Sequence, residues 1–180
     1  MKKLSDMTLE ELWELFPIFL TEHDRRWAQW YDEEIEILGN VLPDVKFYHI
    51  GSTAVSGICA KPIIDILAEV NDRTRLYLVA DILRDYGYII MASSEGRISL
   101  NKGYTEKGFD ERVFHLHIRL SGDTDEIYFR DYLNTHPATA KEYETLKLTL
   151  WKKFEHDRDA YTDAKTEFVK KYTALGKNEV

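Results

Sequence analysis

Two segments of the chain carry side chains suited to chemistry. The first, HIGSTAVSGICAKPIIDILAE from His49 to Glu69, sets a Gly-Ser pair after one apolar run and a lone aspartate, Asp65, inside another. A carboxylate among Ile63, Ile64, Ile66 and Leu67 costs several kcal/mol to bury unless it is paired. Asp65 therefore calls for a metal or a basic partner. Gly51 lets backbone N–H groups approach an anion, Ser52 and Thr53 add hydroxyls, and a short helix near Thr53 would aim its positive end there. A tight turn that merely needs glycine explains the same residues. Lys61, just before the second apolar run, is either a cation for this place or an exposed lysine at a strand start. The second segment is RVFHLHIRL, residues 112–120. On a strand Phe114, Leu116, Ile118 and Leu120 point one way, and His115, His117 and Arg119 point the other. Such a face is a metal-binding or an anion-binding ledge, since imidazole is a common metal ligand and the arginine fork suits phosphate. A solvated polar face accounts for it equally well, because His-x-His alone is a weak motif.

The elements that must position these residues follow from periodicity. Thr8 and Glu11 offer a capping box for a first helix, TLEELWELF. A second helix is expected from about 22 to 38, stopped by Gly39 and kept from resuming by Pro43. Strands are expected at 45–50, 63–70, 88–91, 97–101 and 112–120, with a helix at 73–86. Three helices follow, at about 124–135, 138–156 and 159–175, the second opened by Pro137. Helices at both ends of a strand-rich centre predict an α/β or α+β domain whose sheet carries the site. The whole chain, 1–180, reads as one domain, with a helical segment over about 1–40, a sheet core over 45–120 and C-terminal helices over 124–175.

Composition narrows the function classes. A net charge of −8 disfavours non-specific nucleic-acid binding, although a local basic pocket stays open. The single cysteine, Cys59, forms no internal disulfide, and no stretch approaches the roughly 20 apolar residues that span a bilayer. The expectation is a soluble, cytoplasmic protein that does not enter membranes.

GSTAVSGICAKPIIDIL resembles the signature of the GrpB family, whose usual form is GSTAVPGLxAKPIIDI. NKGYTEKGF (101–109), RVFHLHIR (112–119) and YFRDYLNTHPATAKEYETLK (128–147) match the same family in order. The resemblance implies a nucleotidyltransferase fold, a mixed sheet flanked by helices. In that superfamily a Gly-Ser pair holds the triphosphate, and two alternating carboxylates on a strand hold Mg²⁺ against it. Gly51, Ser52 and Asp65 match in type and spacing.

The departures shape the expected chemistry. Leu67 stands where the second carboxylate belongs, and Glu69, on the same strand face, lies roughly 13 Å from Asp65. Ser56 replaces the usual proline. Two readings follow from the resemblance. In one, the protein transfers a nucleotidyl group from a nucleoside triphosphate to a hydroxyl acceptor, with Mg²⁺ or another divalent cation on Asp65, His115 and His117. Gly51, Ser52, Thr53, Lys102 and Lys147 would then hold phosphates, and Lys61, Arg119 and Arg130 would join Asp65 in catalysis. In the other, the pocket binds a nucleotide or another phosphorylated small molecule without catalysis, and Asp65 pairs with a cationic side chain.

Overall fold

The computed structural model describes residues 2–180. A five-stranded mixed sheet forms its centre, built from β1 (Lys46–Ile50), β2 (Ile63–Val70), β3 (Ile89–Ser94), β4 (Arg97–Thr105) and β5 (Gly108–Leu120). The strand order is β1-β2-β5-β4-β3. Only β2 and β5 run parallel, a pairing that requires a long crossover. The crossover consists of α3 (Arg73–Asp85), β3 and β4. Its register sets Asp65 beside His115 and Leu67 beside His117.

The two faces of the sheet differ because alternate residues differ. Ile64, Ile66, Ala68 and Val70 of β2 join Phe114, Leu116 and Ile118 of β5 in the main core. Trp27, Trp30 and Leu38 of α2 (Arg26–Val41) and Leu76, Val79 and Leu83 of α3 cover that face. The other face, which carries Asp65, His115 and His117, looks toward α4 (Asp125–Thr135), α5 (Pro137–Phe154), α6 (Arg158–Asp163) and α7 (Thr166–Asn178). Phe129, Leu133, Tyr143, Phe168 and Val169 form a second apolar cluster that joins α4, α5 and α7 to Val55 and Ile58.

Near the N-terminus α1 (Leu9–Leu15) carries the expected Thr8–Glu11 capping box. Helix α2 runs on through Gly39 to Val41, since nothing at Gly39 forces a stop, and the chain leaves the helix at Leu42, just before Pro43. The helix expected over 159–175 is two, α6 and α7, broken at Ala164 and Lys165.

The β4–β5 hairpin is longer than its apolar pattern, and it contains a bulge. The register shifts between Lys102 and Tyr104 around Gly103, whose φ is +90°. A Cβ there would strike the Arg112 carbonyl, so glycine is required. The bulge sets the faces of its neighbours: Asn101 pairs with His115, which leaves Lys102 opposite Phe114 on the core side. Tyr104, past the bulge, returns to the histidine side.

Candidate functional site

At the end of β1 the chain turns through Gly51, with φ +71°, into a single helical turn at Ser52–Ala54. Glycine is needed twice over: the backbone is left-handed, and a Cβ would collide with the Asp65 carboxylate. The Gly–Asp spacing thus has a direct steric meaning, because the turn rests on the carboxylate.

The helices clamp this turn through the other long motif. Asn134 donates to the Ala54 carbonyl at 3.0 Å and accepts from the Ser56 N–H at 3.1 Å. Proline at 56 could not make that second bond. Lys141 donates to the Gly57 carbonyl, Glu144 accepts from the Cys59 N–H, and Lys147 donates to the Cys59 carbonyl. Five residues of YFRDYLNTHPATAKEYETLK, Arg130 included, therefore grip the backbone of 49–59.

Asp65 finds its partners in two imidazoles. His115 Nδ1 lies 3.4 Å and His117 Nε2 lies 3.5 Å from the same oxygen, Oδ1. Burial works against the ionised carboxylate, but the hydrogen bonds from the two rings outweigh it and hold Asp65 below the ordinary carboxylate range. Burial pushes His115 down despite Asp65. Its ring is fixed from behind: the Tyr104 hydroxyl sits 2.8 Å from Nε2, and Arg158 donates to Tyr104 at 3.1 Å. With Tyr104 donating to Nε2, Nδ1 carries the proton and donates to Asp65.

These groups open into a cleft of about 660 Å³ between the sheet and the C-terminal helices. Gly51, Ser52, Thr53, Lys61, Asp65, His115, His117 and Lys147 all line it. Tyr143, within hydrogen-bonding reach of Ser52, is pushed up to about 12 by burial. Six lysines and arginines line the cleft (Lys61, Arg97, Lys147, Lys165, Lys170 and Lys177) against three carboxylates (Asp65, Asp125 and Glu126). The cleft is thus positive in a chain of net charge −8, the arrangement that draws an anion inward. Lys165 and Tyr161 fall in a segment whose periodicity shows only an amphipathic helix, and nothing local marks them as cleft residues.

Four expected site residues are engaged by other groups of the protein. The Thr53 hydroxyl donates to the Ile63 carbonyl at 3.2 Å and meets His49 Nε2 at 3.0 Å, so it braces the turn. Lys102, turned to the core side by the bulge, pairs with Glu34 of α2 at 2.7 Å. Arg119 shares the histidine face but is only 6% exposed and faces Glu126 at the start of α4, 3.5 Å away, without lining the cleft. Arg130 donates to the His49 carbonyl at 2.8 Å and pairs with Asp131.

The residues expected to hold a cation, Asp65, His115 and His117, come together with a single carboxylate among them. Mg²⁺ takes hard oxygen ligands, yet Asp65 is alone: Leu67, 0% exposed, holds the next position on that strand face. Glu69 is turned to Tyr48 and to the Gly122 N–H. Among the described residues no group of three or more His, Cys, Asp or Glu is arranged to hold a metal ion. Asp65, His115 and His117 stand as a hydrogen-bonded triad, each imidazole directing an N–H at the carboxylate, so these residues do not fit the two-carboxylate metal site of the fold.

Comparison with known proteins bears on the same residues. The family model described as GrpB protein matches residues 17–175. Glutamate-rich protein GrpB of Alkalihalophilus pseudofirmus is 34% identical over 160 residues, covering 84% of this chain and 91% of that protein. YqkA of Bacillus subtilis is 34% identical over 153 residues, or 82% of this chain, but the match spans only 44% of YqkA. The crystal structure of conserved protein GrpB from Enterococcus faecalis superposes with a TM-score of 0.77 at 31% identity, covering 89% of this chain and 98% of that one. The Cid1 poly(U) polymerase with Mg 3'-dATP bound superposes with a TM-score of 0.52 at 13% identity, over 87% of this chain and 51% of that one. This last likeness concerns the fold alone.

Proposed function

The chain belongs to the GrpB family and has a nucleotidyltransferase fold, and from that premise we propose that its cleft binds a nucleoside triphosphate or a related phosphorylated small molecule. The observation that carries this reading is the charge of the cleft, six cations against three carboxylates in an acidic chain. Ser52 offers a hydroxyl at the mouth of the glycine turn, and Lys61 and Lys147 face the same space. Binding in this reading needs no divalent cation, because the cleft's own side chains supply the positive charge and Asp65 is already satisfied by His115 and His117.

A thermal-shift series with ATP, GTP, CTP and UTP, each in EDTA and in Mg²⁺, tests it. A ligand at a hundred times its Kd adds about 2.7 kcal/mol, a rise of roughly 5–10 °C for a chain of this size. The expected result is a rise in EDTA that is lost in Lys147→Met. No rise with any nucleotide under either condition would refute the reading.

A second reading rests on the position of Asp65, which stands next to the Gly-Ser turn as the first carboxylate of the fold's pair would. Nucleotidyl transfer would join an acceptor hydroxyl oxygen to the α-phosphorus, release pyrophosphate and shed the hydroxyl proton. It would require His115 and His117 to yield Asp65 to a cation. Titration of Mn²⁺ followed by the imidazole NMR signals distinguishes it: displaced, broadened His115 and His117 resonances at micromolar metal favour transfer, and unchanged resonances favour binding alone.

A further inference from the structure

Deep in the cleft three lysines meet without a carboxylate of their own. Lys61 and Lys165 lie over the Tyr161 ring at 5.4 and 4.3 Å, and Lys147 lies over the Tyr143 ring at 5.0 Å. Among the described residues none of the three ammonium groups has an ion-pair partner, although other cations of the cleft do: Arg97 pairs with Asp123 and Lys177 with Asp125. The phenol between them is stranded as well. Tyr161 is 0% exposed, lines the cleft, and its hydroxyl has no hydrogen-bond partner. A buried hydroxyl left unpaired is costly, and three cations gathered beside it repel one another. Folding accounts for Lys147, which donates to the Cys59 carbonyl, but it gives no reason for Lys61, Lys165 and the unpaired phenol to gather beside it.

We propose that Lys61, Lys147, Lys165 and the Tyr161 hydroxyl form a receptor for a compact polyanion of the pyrophosphate class. The inference rests on the reading of the cleft as a phosphate site and deepens it. It assigns the most highly charged part of the ligand to Lys61 before β2, Lys147 of α5, Tyr161 of α6 and Lys165 at the break before α7. A group with three or more negative charges matches three ammonium donors, and the phenol supplies a fourth donor to its oxygens. A single phosphate monoester would leave at least one lysine unpaired.

The electrostatics give the receptor a measurable signature. Burial, followed by the charges of Lys165 and Arg158, pushes Lys61 down to about 7, with Asp65 opposing and Lys147 adding to the fall. Burial and Lys165 push Lys147 to about 7 against Glu144 and Cys59, and burial pushes Lys165 to about 8 against Asp65. At pH 7.5 part of the trio is therefore neutral. An arriving polyanion raises all three back toward the ordinary lysine range, so binding takes up protons.

Isothermal titration with sodium pyrophosphate in EDTA at pH 7.5, repeated in buffers of different ionisation enthalpy, reads both affinity and proton uptake. The expected result is binding at least tenfold tighter than that of inorganic phosphate, with net proton uptake. Lys165→Met weakens it about tenfold or more, the worth of a charged hydrogen bond, and raises the melting temperature of the free protein because a half-buried cation crowded by other cations has gone. Tyr161→Phe, which removes only an unpartnered oxygen, weakens binding without lowering stability. Lys46→Met, which deletes an exposed charge at the start of β1, changes neither. Equal binding by all variants, or heats that are the same in every buffer, would overturn the receptor. If ATP still raises the melting temperature while pyrophosphate gives no heat, this inference falls and the nucleotide cleft stands. If neither binds, both fall.

Discussion

At the scale of the residue, the surroundings of Asp65 decide what the cleft can do. The carboxylate is half-buried, lies against the Gly51 turn and accepts from two imidazoles. Gly51→Ala should therefore cost about 1–3 kcal/mol from the left-handed φ alone, with a further loss from the collision at Asp65. Urea unfolding measures it, and a variant as stable as the parent would show that the turn does not rest on the carboxylate. The His115 tautomer is a second residue-scale consequence. Long-range ¹⁵N spectra at pH 7 should show His115 protonated at Nδ1, and Tyr104→Phe should shift it toward a mixture of tautomers. An Nε2-protonated ring in the parent would contradict the hydrogen-bond order from Arg158 through Tyr104. The alternation of RVFHLHIRL was enough to place both histidines on one face. It could not place Arg119 in the cleft, because which residue α4 covers depends on helix packing that strand periodicity does not encode. Lys102 went astray for a different reason: one extra residue at Gly103 reverses the face of everything before it, and a bulge leaves little trace in the sequence beyond the glycine.

At the scale of the element, the long motif of α4 and α5 acts on the glycine turn more than on a ligand. Asn134, Lys141, Glu144 and Lys147 all bond to the backbone between Ala54 and Cys59. Asn134→Ala removes two of these bonds from an exposed position and should cost about 1–2 kcal/mol at ordinary net hydrogen-bond strengths. It should also speed amide exchange at Ser56 well before β2 exchanges. Exchange that is unchanged at Ser56 would mean that the loop holds its shape unaided. The strands, the capping box at Thr8 and the order of the helices were legible because apolar spacing and caps are local properties. The break at Ala164 and Lys165 was not, since nothing in DAKTEF stops a helix as glycine or proline would. Yet that break is what carries Lys165 into the cleft.

At the scale of the molecule, charge distribution governs behaviour with pH. The three cleft lysines titrate lower in the folded chain, about 7 to 8, than in the unfolded one. Between those values and the ordinary lysine range the unfolded state binds more protons, so their contribution makes stability rise with pH from about 7 upward. His49 behaves alike in acid. Burial holds it at about 4, so stability falls as pH drops from the ordinary histidine range toward 4. Melting curves from pH 4 to 9 should rise through both windows, and Lys165→Met should flatten the upper one. A positive cleft in an acidic body also means that ligand affinity falls with added salt. The family resemblance reached the fold, and the density of basic residues around Asp65 emerged only when α5, α6 and α7 were packed over the sheet.

The most direct measurement is a crystal structure of the protein grown with a non-hydrolysable nucleoside triphosphate in EDTA. The account predicts phosphate density inside the cleft, with oxygens in hydrogen-bonding range of Ser52, Lys147 and Lys165, and with Asp65 still bonded to His115 and His117. Nucleotide density seated outside that cleft, or a cleft that stays free of ligand at saturating concentration, would contradict it.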